Sequence, residues 1–118
     1  MPKKVSFLTV IFLLSLNLFV YAQQELDILG QKIPLPPGAV EVEKSMSRGS
    51  NARIVIYNID EPPALVVEYY RQFFSNNQFM VIGGQDAGGY NVSVKKDKVM
   101  FTLRISPSGQ NSLLQFIW

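Results

Sequence analysis

Beyond Gln23 the hydrophobic positions of this chain alternate over most of its length and adopt a helical spacing only once. In Ala39–Met46, Val40 and Val42 alternate with Glu41 and Glu43, the period-2 pattern of a strand with one wet face. Ser47–Asn51 supplies turn chemistry. Ala52–Ile59 is rich in β-branched residues and reads with its predecessor as a hairpin.

Asp60-Glu61-Pro62-Pro63 is a helix-start signal. It offers an acidic cap, an acidic first turn, and prolines where backbone N–H groups have no intrahelical partner. The spacing predicts a helix running to about Asn76. Leu65, Val66, Tyr69 and Phe73, with Tyr70 at the margin, form its apolar face, and Glu68, Arg71, Gln72 and Ser75 lie largely opposite. Asn76-Asn77 can end it, because asparagine tolerates a left-handed C-terminal cap.

Strand patterns then follow at Phe79–Ile82, Tyr90–Lys95, Val99–Ile105 and Leu113–Trp118. Tyr90, Val92 and Val94 alternate with Asn91, Ser93 and Lys95, and Val99, Phe101, Leu103 and Ile105 with Met100, Thr102 and Arg104, so one sheet face is buried. The single helix is its cover. The fold class is α+β, a two-layer sandwich of one helix on a mainly antiparallel sheet in the order β-β-α-β-β-β. In Ile33-Pro34-Leu35-Pro36-Pro37-Gly38 the prolines exclude helix and central strand. Residues 23–38 therefore read as an extended Pro-rich lead-in, with Ile33 and Leu35 packing on the domain of residues 39–118.

The N-terminus changes how the composition is read. Lys3 and Lys4 precede a charge-free stretch from Val5 to Gln24 whose centre is mostly Phe, Leu, Ile and Val. A positive start before an apolar run is the pattern of a secretory signal peptide, here residues 1–22, with Ala22 offering the cut ahead of Gln23. The alternative is an uncleaved inner-membrane anchor over Val5–Tyr21, since such a run approaches bilayer-spanning length. Lys3 and Lys4 are two of the 11 basic residues, so the chain beyond the leader carries nine basic against nine acidic ones. Its net charge is zero, without the global basic field that nucleic acid would require. With no cysteine, core packing alone must hold the fold.

The same composition empties most of the chemical repertoire. Histidine and cysteine are both absent, which removes the commonest general base, thiol nucleophiles and most transition-metal ligand sets. Asp60 and Glu61 are accounted for by the helix start, and Glu41 and Glu43 by a solvated strand face. Gly83–Gly89 lacks the Lys-Ser/Thr of a phosphate loop and reads as a flexible connection. Lys95, Lys96 and Lys98 make a basic turn with no interleaved aromatic residue. No catalytic, cofactor-binding or metal-binding residue is assigned. The dense aromatic set around the helix leaves Tyr70, Arg71 and Phe74 as the candidate partner surface.

Leu35-Pro36-Pro37-Gly38-Ala39, Tyr57, Asp60, Val66-Val67-Glu68-Tyr69-Tyr70-Arg71 and the Asn77-Gln78-Phe79 exit resemble a loose group of small exported bacterial domains. Those domains join a Pro-Gly-Ala opening, a hairpin, an Asp-started helix and a β-meander, in a layout similar to outer-membrane assembly lipoprotein domains. The chain departs from many of them in having Gln78-Phe79 where they show Gly-Trp, and in lacking a lipid-bearing cysteine. The resemblance implies an envelope location and a binding or structural role. The expectation is a non-enzymatic periplasmic or secreted domain that binds another envelope protein, without cofactor, nucleic acid or, after cleavage, membrane contact. The rival readings are the membrane-tethered domain and a small enzyme using carboxylates or a Ser-Lys pair.

Overall fold

The computed structural model describes residues 24–47, 49 and 51–118; the expected leader lies outside them. Among the described residues, eight strands and one helix follow in chain order: β1 (Glu25–Ile28), β2 (Gln31–Pro34), β3 (Val40–Met46), β4 (Arg53–Ile59), α1 (Pro63–Asn76), β5 (Met80–Asp86), β6 (Gly89–Lys96), β7 (Val99–Ser108) and β8 (Asn111–Ile117). β3 to β8 form one antiparallel sheet in the order β3-β4-β8-β7-β6-β5, and β1 pairs with β2 in a separate hairpin. The α+β class and the single helix on an antiparallel sheet are as the pattern predicts. The order differs from β-β-α-β-β-β in two ways: the lead-in contributes a hairpin, and all four segments after α1 are strands of the sheet.

The alternation becomes rows across the sheet. Val55, Phe116, Leu103 and Val92 lie side by side on β4, β8, β7 and β6, and Tyr57, Leu114, Ile105 and Tyr90 form the next row. All eight are buried. α1 lies across these rows with Val66, Val67, Tyr70 and Phe74 turned inward. Phe74 and Tyr70 join Phe101 and Phe116 in an aromatic chain with ring centroids 5.7–6.1 Å apart, the range of favourable edge-to-face and offset contacts.

The extended strap predicted for the lead-in is a tight hairpin. Leu29 and Gly30 both take positive φ, 52° and 95°, the turn whose twist matches paired strands. The Gly30 N–H donates to Asp27 Oδ1 at 2.8 Å, and Lys32 bridges the same carboxylate at 2.9 Å. Ile28, Ile33 and Leu35 belong to the same buried core as the sheet. Tyr70 fastens the hairpin to the helix, its hydroxyl donating to the Pro34 carbonyl at 2.8 Å.

That hairpin moves the helix face by about one residue. Tyr69 and Phe73 are only partly buried on the flank nearest β1 and β2, Leu65 is exposed, and the core face is Val66, Val67, Tyr70 and Phe74. The start differs too. Pro62 is the N-cap, no side chain caps the helix, and no acidic residue lies in its first turn, so Asp60 and Glu61 precede the helix. The Ser112 hydroxyl, fully buried, instead pins this approach by donating to the Glu61 carbonyl at 2.7 Å.

At the other end Asn77 has φ −113°, and the left-handed residue is Gln78, φ 62°. The Phe79 N–H returns to the Phe74 carbonyl at 3.0 Å and the two rings pack with centroids 5.4 Å apart. These are the six-to-one hydrogen bond and the accompanying apolar contact of a Schellman stop.

Candidate functional site

Gly83–Gly89 is not a flexible connection. β5 runs through Gly83 and Gly84 to Asp86, and β6 resumes at Gly89 after the two residues Ala87-Gly88. Asp86 Oδ1 accepts from the Gly88 N–H at 2.9 Å and closes the turn. Gly83 stands at the end of the Val55–Phe116–Leu103–Val92 row with φ +115°. A Cβ there would lie 2.6 Å from the Asn91 carbonyl oxygen, so only glycine fits, and the row ends without a side chain.

The consequence lies on the inner face of the sheet. The β1-β2 hairpin occupies the flank of α1 that carries Tyr69 and Phe73. On the opposite flank, between α1 and β5, a groove of about 690 Å³ stays open. Its helix wall is a single stripe, Ala64, Val67, Glu68, Arg71, Phe74 and Ser75, at the three- and four-residue spacings that align side chains along a helix. Its strand wall is Phe79, Val81, Gly83, Gly84 and Gln85, with Tyr90 of β6 beneath. The stripe spans about 16 Å of helix at 1.5 Å per residue.

Chemically the groove has an apolar floor and a charged helix wall. Val67, Phe74 and the Tyr90 ring, the buried members of the lining, supply the floor, and Phe79 and Val81 continue the apolar surface up the strand side. Lys96 covers the Phe79 ring from one side, its Nζ 4.9 Å from the centroid. Glu68 accepts a 3.3 Å hydrogen bond from Gln72, and Arg71 makes no hydrogen bond or ion pair among the described residues. Burial raises the Tyr90 phenol above its ordinary pKa, and the Arg71 guanidinium offsets part of that rise. Burial lifts Tyr70 well above the usual phenol range, reinforced by its neighbours Tyr69 and Tyr57.

The structure separates the three residues expected to form a partner surface. Tyr70 is 0% exposed and Phe74 1%, so neither forms the outer flank of the helix. Tyr70 sits at the centre of the apolar face and is committed to Pro34, while Phe74 reaches the groove only as part of its floor. Arg71 alone is exposed, on the groove wall. Ala64, Ser75, Val81, Gln85 and Tyr90 escaped sequence reasoning because their convergence depends on β5 turning back along α1. Among the described residues no cluster of three or more acidic side chains could hold a metal ion, and every buried side-chain nitrogen or oxygen has a hydrogen-bond partner.

Residues 39–112 match the START domain-like family. The match spans more than half the chain, and the chain belongs to that family. It begins just before β3 and ends in β8, so it contains α1, β5 and the whole groove, whereas the β1-β2 hairpin precedes it. Neither the proteins of established function nor the solved structures include a match.

Proposed function

We propose that this chain is a non-enzymatic binding domain, exported to the bacterial periplasm or beyond, that receives its ligand in the groove between α1 and β5. The observation that carries the reading is the groove itself: an open channel with an apolar floor and a guanidinium, Arg71, that has no hydrogen bond or ion pair among the described residues, on a sheet whose other inner flank is already filled. Binding sites combine apolar walls with a few placed polar groups in this way. Family membership supports the same conclusion, since the START-like fold is typically a ligand-binding one. The residue types at the groove support the non-enzymatic reading. Glu68, Arg71, Ser75, Gln85 and Tyr90 offer hydrogen bonds and charge, with no nucleophile held against a base.

Export rests on Lys3, Lys4, the apolar run and the small residue Ala22. N-terminal sequencing of the protein recovered from cells should give Gln23; recovery of intact Met1 in a carbonate-resistant membrane fraction would replace export with tethering. The binding site is tested by placing a photo-crosslinking residue at Ser75, on the groove, and in a second variant at Leu65, on the opposite flank and 58% exposed. A discrete adduct formed in the cell envelope from Ser75, abolished when Ala64→Phe fills the groove, is the expected result. Equal adducts from both positions, insensitive to Ala64→Phe, would remove the groove from the function.

A further inference from the structure

We infer that the occupant of the groove is an extended polypeptide segment that adds to the sheet as a seventh strand along β5, with apolar side chains at alternate positions and a carboxylate directed at Arg71. The inference rests on the groove being the binding site and names what fills it.

The two edges of the sheet are built differently. β3 carries Glu41, Glu43 and Lys44 and a register shift between Glu41 and Glu43, devices that keep other strands from pairing with an edge. β5 has none of them from Met80 to Gln85: no charge, no proline and no register shift against β6. Its other side pairs with no strand among the described residues. An unguarded edge six residues long, Met80–Gln85 or about 20 Å of strand, is a template for a further strand.

The groove lies directly beside that edge. Val81, Gly83 and Gln85 are the inward positions of β5, paired with the buried Val94, Val92 and Tyr90, and all three line the groove. Met80 and Ile82 point to the outer face, 60% and 63% exposed. A strand hydrogen-bonded to β5 would repeat this alternation. Every second side chain would drop between α1 and β5 onto Phe74, Phe79 and Val81, and the intervening ones would cover Met80 and Ile82. Arg71 supplies the charge requirement, because it lines this channel without a carboxylate partner among the described residues.

Two other occupants fit less well. A small amphiphile would fill the groove and leave the β5 edge unpaired. A second copy pairing β5 with β5 brings one acidic residue on that strand, Asp86, which sits at the hairpin turn and already accepts from Gly88.

The test selects a displayed library of random eight-residue peptides with free C-termini on the purified full-length protein, then measures the winning peptide, fluorescently labelled, by polarisation. The expected winners alternate apolar residues and carry an acidic side chain or a terminal carboxylate within the pattern. N-methylation of alternate amides along one edge of the peptide should weaken binding at least about tenfold, while the same change along the other edge leaves it within about twofold, because only one edge faces β5. Arg71→Glu should cost about tenfold or more, Ala64→Phe should abolish binding, and Leu65→Ala should leave it unchanged. A winner indifferent to N-methylation on both edges but sensitive to Ala64→Phe overturns strand addition and leaves the groove as the site. Binding indifferent to Ala64→Phe removes both readings. If no peptide is enriched, strand addition fails, and a fluorescent fatty-acid probe displaced by Ala64→Phe would show that the groove survives as a small-molecule site. A concentration-dependent dimer abolished by Ile82→Lys would also overturn the proposal in favour of self-pairing.

Discussion

Replacing Tyr70 by phenylalanine isolates one hydroxyl while keeping the ring against Phe74 and Phe116. That hydroxyl joins the helix to the β1-β2 hairpin through a 2.8 Å bond to the Pro34 carbonyl. At neutral pH the loss should be about 1 kcal/mol, the net value of an intramolecular hydrogen bond, rising toward 3 kcal/mol if no water reaches the abandoned carbonyl. For a fold of this size, 1 kcal/mol lowers Tm by about 4–8 °C.

The same residue predicts how the difference changes with pH. Burial raises the Tyr70 pKa in the folded state, so folding favours the neutral phenol. Its contribution is fully present below the unfolded pKa of about 10 and is lost as pH rises toward the folded value, at up to about 1.4 kcal/mol per pH unit. Wild type should therefore lead Tyr70→Phe by about 1 kcal/mol at pH 7, and the two should become equal near pH 11, above which the variant is the more stable. Tyr90, also raised by burial, titrates alike in both proteins and cancels in the difference. Urea unfolding followed by circular dichroism between pH 7 and 11.5 measures it, with an unchanged m-value as the check that the denatured state is comparable. A difference that stays constant across this range would refute the buried, hydrogen-bonded placement of Tyr70.

Substitutions at three further positions test the frame that holds the groove. Gln78→Gly should stabilise by about 0.5–1 kcal/mol in urea midpoints, because relief of a left-handed side-chain residue exceeds the added freedom of the unfolded chain, while Gln78→Val should shift the midpoint the other way. Phe74→Ala removes the ring shared by Tyr70, Phe79 and Phe101 and should cost about 3–5 kcal/mol in the same assay. Ser112→Ala strips the buried donor from the Glu61 carbonyl and should cost about 1–3 kcal/mol, read as a fall in Tm with the circular-dichroism spectrum retained.

The strands were legible because a half-buried antiparallel sheet writes its period into the chain. Tyr90-Val92-Val94 and Phe101-Leu103-Ile105 are buried as their alternation predicts. The hairpin at Glu25–Pro34 was hidden by its brevity and by a turn built from Leu29-Gly30, where asparagine or aspartate before glycine is the usual signal. Missing it displaced the helix face, since nothing else indicates that Tyr69 and Phe73 would be flanked by β1 and β2. The glycines at 83 and 89 read as loop residues by propensity, yet they occupy strand positions with positive φ where a neighbouring carbonyl crowds the Cβ site. Tyr70 and Phe74 were drawn toward the surface by the density of aromatics around them, and only Arg71 lies there. The groove itself is a property of what fails to cover β5. Its walls meet only through the register that sets Val81, Gly83 and Gln85 against Val94, Val92 and Tyr90.

The central claim is that recognition happens at the groove and the β5 edge. Residue-resolved amide hydrogen exchange of the protein alone and saturated with its best-binding peptide tests it most directly. Protection should rise along Met80–Gln85 and on the Ala64–Ser75 stripe of α1, with Val40–Met46 at the opposite edge unchanged. Protection confined to β3, or to the β1-β2 hairpin, would contradict the account.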